Sequence, residues 1–185
     1  MGYEYLADGC NVKEISEEIF FAEELIVTVD ARTVEFLKQK ASQNKRKRVR
    51  LCVHKDTNAL VHEMIIVHSR GIYVEPHKHM NKSESFHVIE GSADLFFFDE
   101  EGEVVKVISM GERSSGKIFY YRVSDPIYHT LIVTSDIVVF QETTKGPFNR
   151  ADTVWAPWAP SENDEATVKV FMEQIMKKGE LILQG

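Results

Sequence analysis

Residues 71 to 91 read GIYVEPHKHMNKSESFHVIEG, and four ligand-type positions, three of them in this stretch, organise everything around it. His77 and His79 are two apart, so on a strand both imidazoles project from one face and their nitrogens can share one cation. Glu84 lies seven residues after His77, an odd interval that places it on the opposite face of a single continuous strand. The intervening MNKS is turn-like, and a hairpin there would return Glu84 to the same interior on the neighbouring strand. Farther along, His129 follows the turn signal Asp125-Pro126 and begins the apolar stretch HTLIVT. Three neutral imidazoles and one carboxylate form a mixed nitrogen and oxygen set suited to one divalent ion, Fe(II), Mn(II), Ni(II) or Zn(II), with positions left for water or substrate.

Parity extends the reading outward from these ligands. Tyr73 and Glu75 precede His77 at even intervals and are expected to look toward the metal unless Pro76 introduces a bulge. Arg48, Arg50, Cys52 and His54 likewise share one strand face. So many polar groups do not suit a dry core, so that face meets solvent or lines a wet pocket able to bind an anion. His62 and His68, six residues apart, are expected to be partly exposed, and His87 has the wrong parity to join Glu84.

The chain on either side is rich in short strands. Those expected between residues 48 and 143 cover 48 to 54, 60 to 68, 71 to 79, 84 to 90, 92 to 98, 103 to 109, 117 to 123, 129 to 134 and 136 to 143. Regular short strands favour a sandwich or barrel over a parallel α/β sheet. Phe96, Phe97 and Phe98 put large apolar groups on both faces of one strand, which therefore needs a second sheet on one side and a helix or subunit on the other. Upstream, residues 15 to 29 read as one or two strands, and a helix follows with Asp30 as its N-cap and Val34, Leu37 and Ala41 at helical spacing. Residues 146 to 163 hold three of the five prolines and both tryptophans and form an ordered loop. A last helix is expected from about 163 to 178, capped by Ser161 or Asn163, ended by Gly179, and burying Val168, Phe171, Met172 and Ile175.

Composition narrows the classes. The 185 residues suit one domain, and 43% hydrophobic with 28% charged residues is ordinary globular usage. No apolar run approaches the roughly 20 residues needed to cross a bilayer, and the first residues lack the basic start and apolar stretch of a secretory signal. Leu6 also occupies the position where an N-myristoylation motif wants Ser or Thr. With only Cys10 and Cys52 as cysteines, a reduced, cytoplasmic setting is expected. A net charge of -7 argues against nucleic acid as a partner, and the basic run KRKRVR (45 to 50) is expected to be a solvated loop entering a strand. A small molecule is the expected partner.

Taken together, residues 71 to 91 resemble the first motif of the cupin superfamily, which has a Gly, five residues, His-x-His, four residues, Glu, six residues and a Gly; Gly71, His77, His79, Glu84 and Gly91 match it. The second cupin motif is degraded: Pro126 is followed by Ile-Tyr-His129 without the usual Gly, and Val133 stands where Asn is usual. More narrowly, residues 30 to 165 are similar to the WbuC family of cupin-fold metalloproteins through RVRLCVH (48 to 54), the first motif, DLFFFDEEGEV (94 to 104), Glu142 with KGPFN (145 to 149) and WAPWAP (155 to 160).

This resemblance implies an all-β fold, a cupin-type antiparallel β-barrel or jelly roll, with an N-terminal and a C-terminal helix. The barrel then covers residues 46 to 145, with residues 1 to 45 packing on it and 146 to 185 supplying the Pro/Trp-rich loop and last helix. It implies His77, His79, Glu84 and His129 as metal ligands, and an association with bacterial surface-polysaccharide biosynthesis. A metal-dependent enzyme acting on a sugar or sugar nucleotide is the leading expectation, with the ion as Lewis acid and Glu75 or His54 moving a proton. Arg48, Tyr73, Tyr128 and Glu142 are the expected substrate contacts. Two other readings stay open, an Fe(II)-dependent dioxygenase and a non-catalytic metal or carbohydrate-binding protein. The strand-rich 15 to 29 segment is expected to pair with a sheet edge, that of a second subunit included, and a homodimer is the expected assembly.

Overall fold

The computed structural model describes residues 3–6 and 10–184, with side chains from residue 11 onward. In chain order the elements are β1 (Tyr3–Leu6), β2 (Cys10–Ser16), β3 (Ile19–Ala22), α1 (Ala31–Gln43), β4 (Arg48–Cys52), β5 (Val61–Ser69), β6 (His77–His79), β7 (Glu84–Glu90), β8 (Ser92–Phe98), β9 (Val104–Gly111), β10 (Tyr120–Val123), β11 (Tyr128–Val133), β12 (Ile137–Lys145), β13 (Thr153–Trp155) and α2 (Glu165–Gln184), with short 3-10 turns at Arg113–Ser115 and Arg150–Asp152. They form two sheets, an eight-stranded one ordered β1-β2-β3-β4-β5-β12-β7-β10 and a five-stranded one ordered β13-β6-β11-β8-β9. The single parallel pair between named strands joins β3 to β4. This is the expected all-β jelly-roll class with a helix near each end, built as two facing sheets rather than one closed barrel.

Alternating side chains explain the layers. On β5, Met64 and Ile66 enter the core between the sheets, while Ile65 and Val67 lie on the other face beneath α1. The two faces of β8 divide in the same way, with Leu95 and Phe97 between the sheets and Phe96 and Phe98 packed toward α2 with Trp158. The consecutive phenylalanines thus find the cover on both sides that their sequence demands. Helix α1 begins as expected: the Asp30 side chain accepts from the Thr33 amide at 2.9 Å, and Val34, Leu37 and Ala41 are buried.

Three local expectations are corrected. Helix α2 starts at Glu165 under an Asp164 cap, whose carboxylate accepts from the Thr167 amide at 3.2 Å and its hydroxyl at 2.7 Å, and it runs through Gly179. Gly179 is a close-approach residue instead of a stop, since a Cβ there would lie 2.5 Å from Cε1 of Phe96. Residues 71 to 76 are not strand. Pro76 has no N–H to give a ladder, and β6 begins immediately after it. Finally, the strands expected within 15 to 29 end at Ala22, where β3 covers the edge of β4 of the same chain.

Candidate metal centre

All three histidines come from the inner face of the five-stranded sheet. On β6, His77 and His79 share a face, and His129 of β11 is the cross-strand partner of His77. Glu84 arrives from the other sheet as the first residue of β7, so the 80 to 83 turn crosses between sheets instead of closing a hairpin within one. Asn81 makes that crossing with φ 61°, a backbone region in which Asn is among the better-tolerated residues. One ligand atom from each of His77, His79 and His129 lies within 4.8 Å of the others. Closing the set, Glu84 Oε2 is 3.1 Å from His79 Nε2 and Oε1 is 3.7 Å from His129 Nε2.

Backbone carbonyls set the imidazole tautomers. His77 Nδ1 lies 2.8 Å from the Glu75 carbonyl and His129 Nδ1 lies 2.9 Å from the Ile127 carbonyl. A carbonyl only accepts, so both Nδ1 atoms carry the proton and both Nε2 lone pairs are free to face the centre. His79 Nδ1 sits 3.3 Å from Thr153 Oγ1 on β13, while the Tyr121 hydroxyl donates to Glu84 Oε1 at 2.8 Å. Burial works against the charge on Glu84, but the bond to His79, the fields of His129 and His79 and the Tyr121 hydroxyl outweigh it and hold the carboxyl down at about 2. For His77, burial and then the adjacent His129 push the imidazole down to about 4. Three imidazoles gathered around a buried carboxylate make a nitrogen and oxygen donor set that fits a divalent ion.

Tyr121 orients Glu84 without being a ligand itself. Tyr121→Phe is expected to weaken zinc binding about 10-fold with the fold unchanged, the usual scale for losing an outer partner of a ligand. Titration calorimetry on metal-free protein measures this, and wild-type affinity would show that Glu84 holds its position without the hydroxyl.

The remaining residues singled out from sequence are scattered. Arg48 pairs with Glu18 at 3.0 Å, in a turn joining β2 and β3. Tyr73 donates to the Pro160 carbonyl at 2.8 Å and meets Phe171 of α2 edge-on, because its segment lacks the strand parity assumed for it. Tyr128 also faces α2, lying against Trp158 with Lys78 Nζ 4.4 Å from its ring centroid. Glu75 turns its carboxylate to the Glu162 amide at 3.3 Å and contributes its carbonyl to His77. His54 stacks on His62 with centroids 4.1 Å apart, and His62, expected to be partly exposed, is buried.

Glu142 is the exception. It shares the inward parity of Val138 and Phe140 on β12, and its cross-strand partner Phe86 is two residues along β7 from Glu84. Burial, then the charge of Glu84, raise its carboxyl to about 8, against smaller opposing effects of Arg50 and Lys82. The folded chain therefore keeps a proton that the unfolded chain, near 4.5, has released. The contribution of Glu142 to the stability of metal-free protein should fall as pH rises between those values, then level off. Glu142→Gln should remove this slope and raise the melting temperature at pH 8; parallel profiles for the two proteins would place the proton elsewhere.

The family model described as "Domain of unknown function (DUF6016)" matches residues 29–110. No curated protein matches the chain. Among solved structures, protein SO0799 from Shewanella oneidensis is similar at 12% identity and a TM-score of 0.45 over 56% of this chain and 66% of that one. CapF, solved with the inhibitor 3-isopropenyl-tropolone, is similar at 16% identity and a TM-score of 0.49 over 60% of this chain and 32% of that one. Lactobacillus farciminis oxalate decarboxylase, solved as a formate complex, is similar at 15% identity and a TM-score of 0.42 over 52% of this chain and 26% of that one. This chain thus spans less than two thirds of the length of each.

Proposed function

We propose that the chain is a cupin-type metal-dependent enzyme for a small polar substrate, with His77, His79, Glu84 and His129 as ligands to one divalent ion. The observation that carries this reading is the convergence of three imidazoles and a buried carboxylate from two sheets, with two of the imidazoles held by backbone carbonyls in the tautomer that ligation needs. When bound, the ion supplies Lewis-acid polarisation of a substrate carbonyl or hydroxyl.

The chain's own groups do the rest. Glu84 balances the charge of the centre, and Tyr121 holds it in place. Glu142, half-buried beside that pair and protonated near neutral pH, is the group in position to hold or return a proton. The observed partners of Arg48, Tyr73 and Tyr128 leave the substrate to be gripped by other side chains.

A sugar or sugar nucleotide as substrate, WbuC-type membership, a place in surface-polysaccharide biosynthesis, a cytoplasmic setting and homodimer formation belong to the same proposal and rest on the sequence. No helix among the described residues is long and apolar enough to cross a membrane. Metal analysis of freshly purified protein, followed by calorimetric screening of sugar nucleotides against loaded and stripped protein, tests the reading. One ion per chain and a ligand that binds only loaded protein are expected; a stripped protein that binds equally well would overturn the role of the ion. Light scattering at micromolar concentration tests the dimer, and a monomeric mass would sink it.

A further inference from the structure

Trp155 is absent from the ligand set, yet its position ties it to the centre. It is the cross-strand partner of His77, as Thr153 is of His79. Directly opposed residues on neighbouring strands point to the same side of a sheet. Two contacts agree with this placement: Thr153 Oγ1 reaches His79 Nδ1 at 3.3 Å, and the Trp155 ring centroid lies 5.3 Å from that of His77. The residue between them, Val154, packs on the opposite side, in the cluster that holds Phe96 and Phe98.

Trp155 therefore stands on the metal-facing side of the five-stranded sheet. β13 is the edge strand of that sheet, and Trp155 is 52% exposed among the described residues. Trp158, three residues later, shows the contrast, enclosed by Phe98, Tyr128 and Phe171. A large ring half open to water beside a ligand imidazole leaves apolar area unused that a bound molecule can cover.

We propose that Trp155 is a stacking platform for the substrate of the metal centre, and that the substrate pairs oxygen donors, which bind the ion, with a ring whose face covers the indole. The inference rests on the metal reading above and goes beyond it by assigning a ring to the substrate. Stacking a ring face on an aromatic side chain is favourable, and the indole presents its face without the cost of moving a buried side chain.

The test compares zinc-loaded wild type with Trp155→Leu, which keeps apolar bulk without a ring, and Trp155→Phe, which restores one. Three probes that offer oxygen donors are titrated by calorimetry: maltol (a flat ring), glucuronate (a pyranose) and acetohydroxamate (no ring). In Trp155→Leu, affinity for at least one ring probe should fall about 5-fold or more while acetohydroxamate binds as in wild type, and Trp155→Phe should recover part of the loss. A loss for maltol alone assigns a flat ring, and a loss for glucuronate assigns a pyranose. If zinc is taken up but all three probes weaken equally, or none does, the platform is overturned while the metal centre stands. If wild type takes up no zinc, the metal centre fails and the platform falls with it.

Discussion

Replacing His77 with alanine is expected to abolish stoichiometric metal binding while leaving the fold intact. The imidazole is central to the cluster, with ring centroids 4.9 Å from His79 and 4.8 Å from His129, and it is the cross-strand partner of the latter. Its Nδ1 proton is held by the Glu75 carbonyl, so the free lone pair costs little to present. Without it, two imidazoles and Glu84 remain, and the divalent ion loses a quarter of its protein donors. The fold, by contrast, is held by apolar burial between the sheets, where Leu95, Phe97 and Phe140 lie, and none of that changes. The structural cost is one unpaired carbonyl, worth about 1 to 3 kcal/mol if water cannot reach it. Elemental analysis with circular dichroism checks both halves. Retained zinc at one ion per chain would remove His77 from the ligand set; a metal-free wild type without structure would make the ion a folding element, weakening the catalytic proposal.

The centre was legible in the sequence to the extent that it depends on spacing within one strand. His77 and His79 need only two-residue periodicity, and the boundaries of β7 and β8 follow from their apolar patterns between turn residues. Glu84 was correctly brought to the same interior, but by the wrong route, because a turn sequence does not reveal whether the chain folds back within a sheet or crosses to the facing one. Tyr121, Thr153 and Trp155 went unrecognised for a related reason. Each acts through cross-strand register with a distant segment, and local sequence carries no register between strands that are not joined by a short turn. Parity misled where strand geometry was assumed and then broken, as at Tyr73 and Glu75 ahead of Pro76. On β4 the parity was sound, since Cys52 does enter the inter-sheet core, yet Arg48 on the same face is taken by Glu18 from a hairpin whose position no spacing discloses.

Gly91→Ala is expected to destabilise the protein far more than Gly71→Ala, although both glycines occupy fixed positions of the same motif. Both have left-handed backbone, with φ +77° and +82° respectively, which costs an alanine about 1 to 2 kcal/mol at either site. The surroundings differ. At Gly71 a Cβ would meet nothing within 4 Å, so backbone strain is the whole effect. At Gly91 it would lie 2.1 Å from the Ile137 carbonyl oxygen and 2.6 Å from Ser135 Oγ. Neither neighbour is free to move. Ser135 Oγ donates to the Ile137 carbonyl at 2.5 Å and accepts from the Ser92 amide at 2.8 Å, binding the start of β12 to the turn between β7 and β8. Displacing the carbonyl would shift Ile137 at the head of the strand that carries Glu142, and would break the hydroxyl bridge as well. A loss of about 3 kcal/mol or more, at the upper end for a single substitution, is expected for Gly91→Ala, against about 1 kcal/mol for Gly71→Ala. Urea unfolding of the two metal-free variants measures the difference. Equal losses would mean that the left-handed backbone alone accounts for both glycines and that the turn at Gly91 can open without disturbing β12.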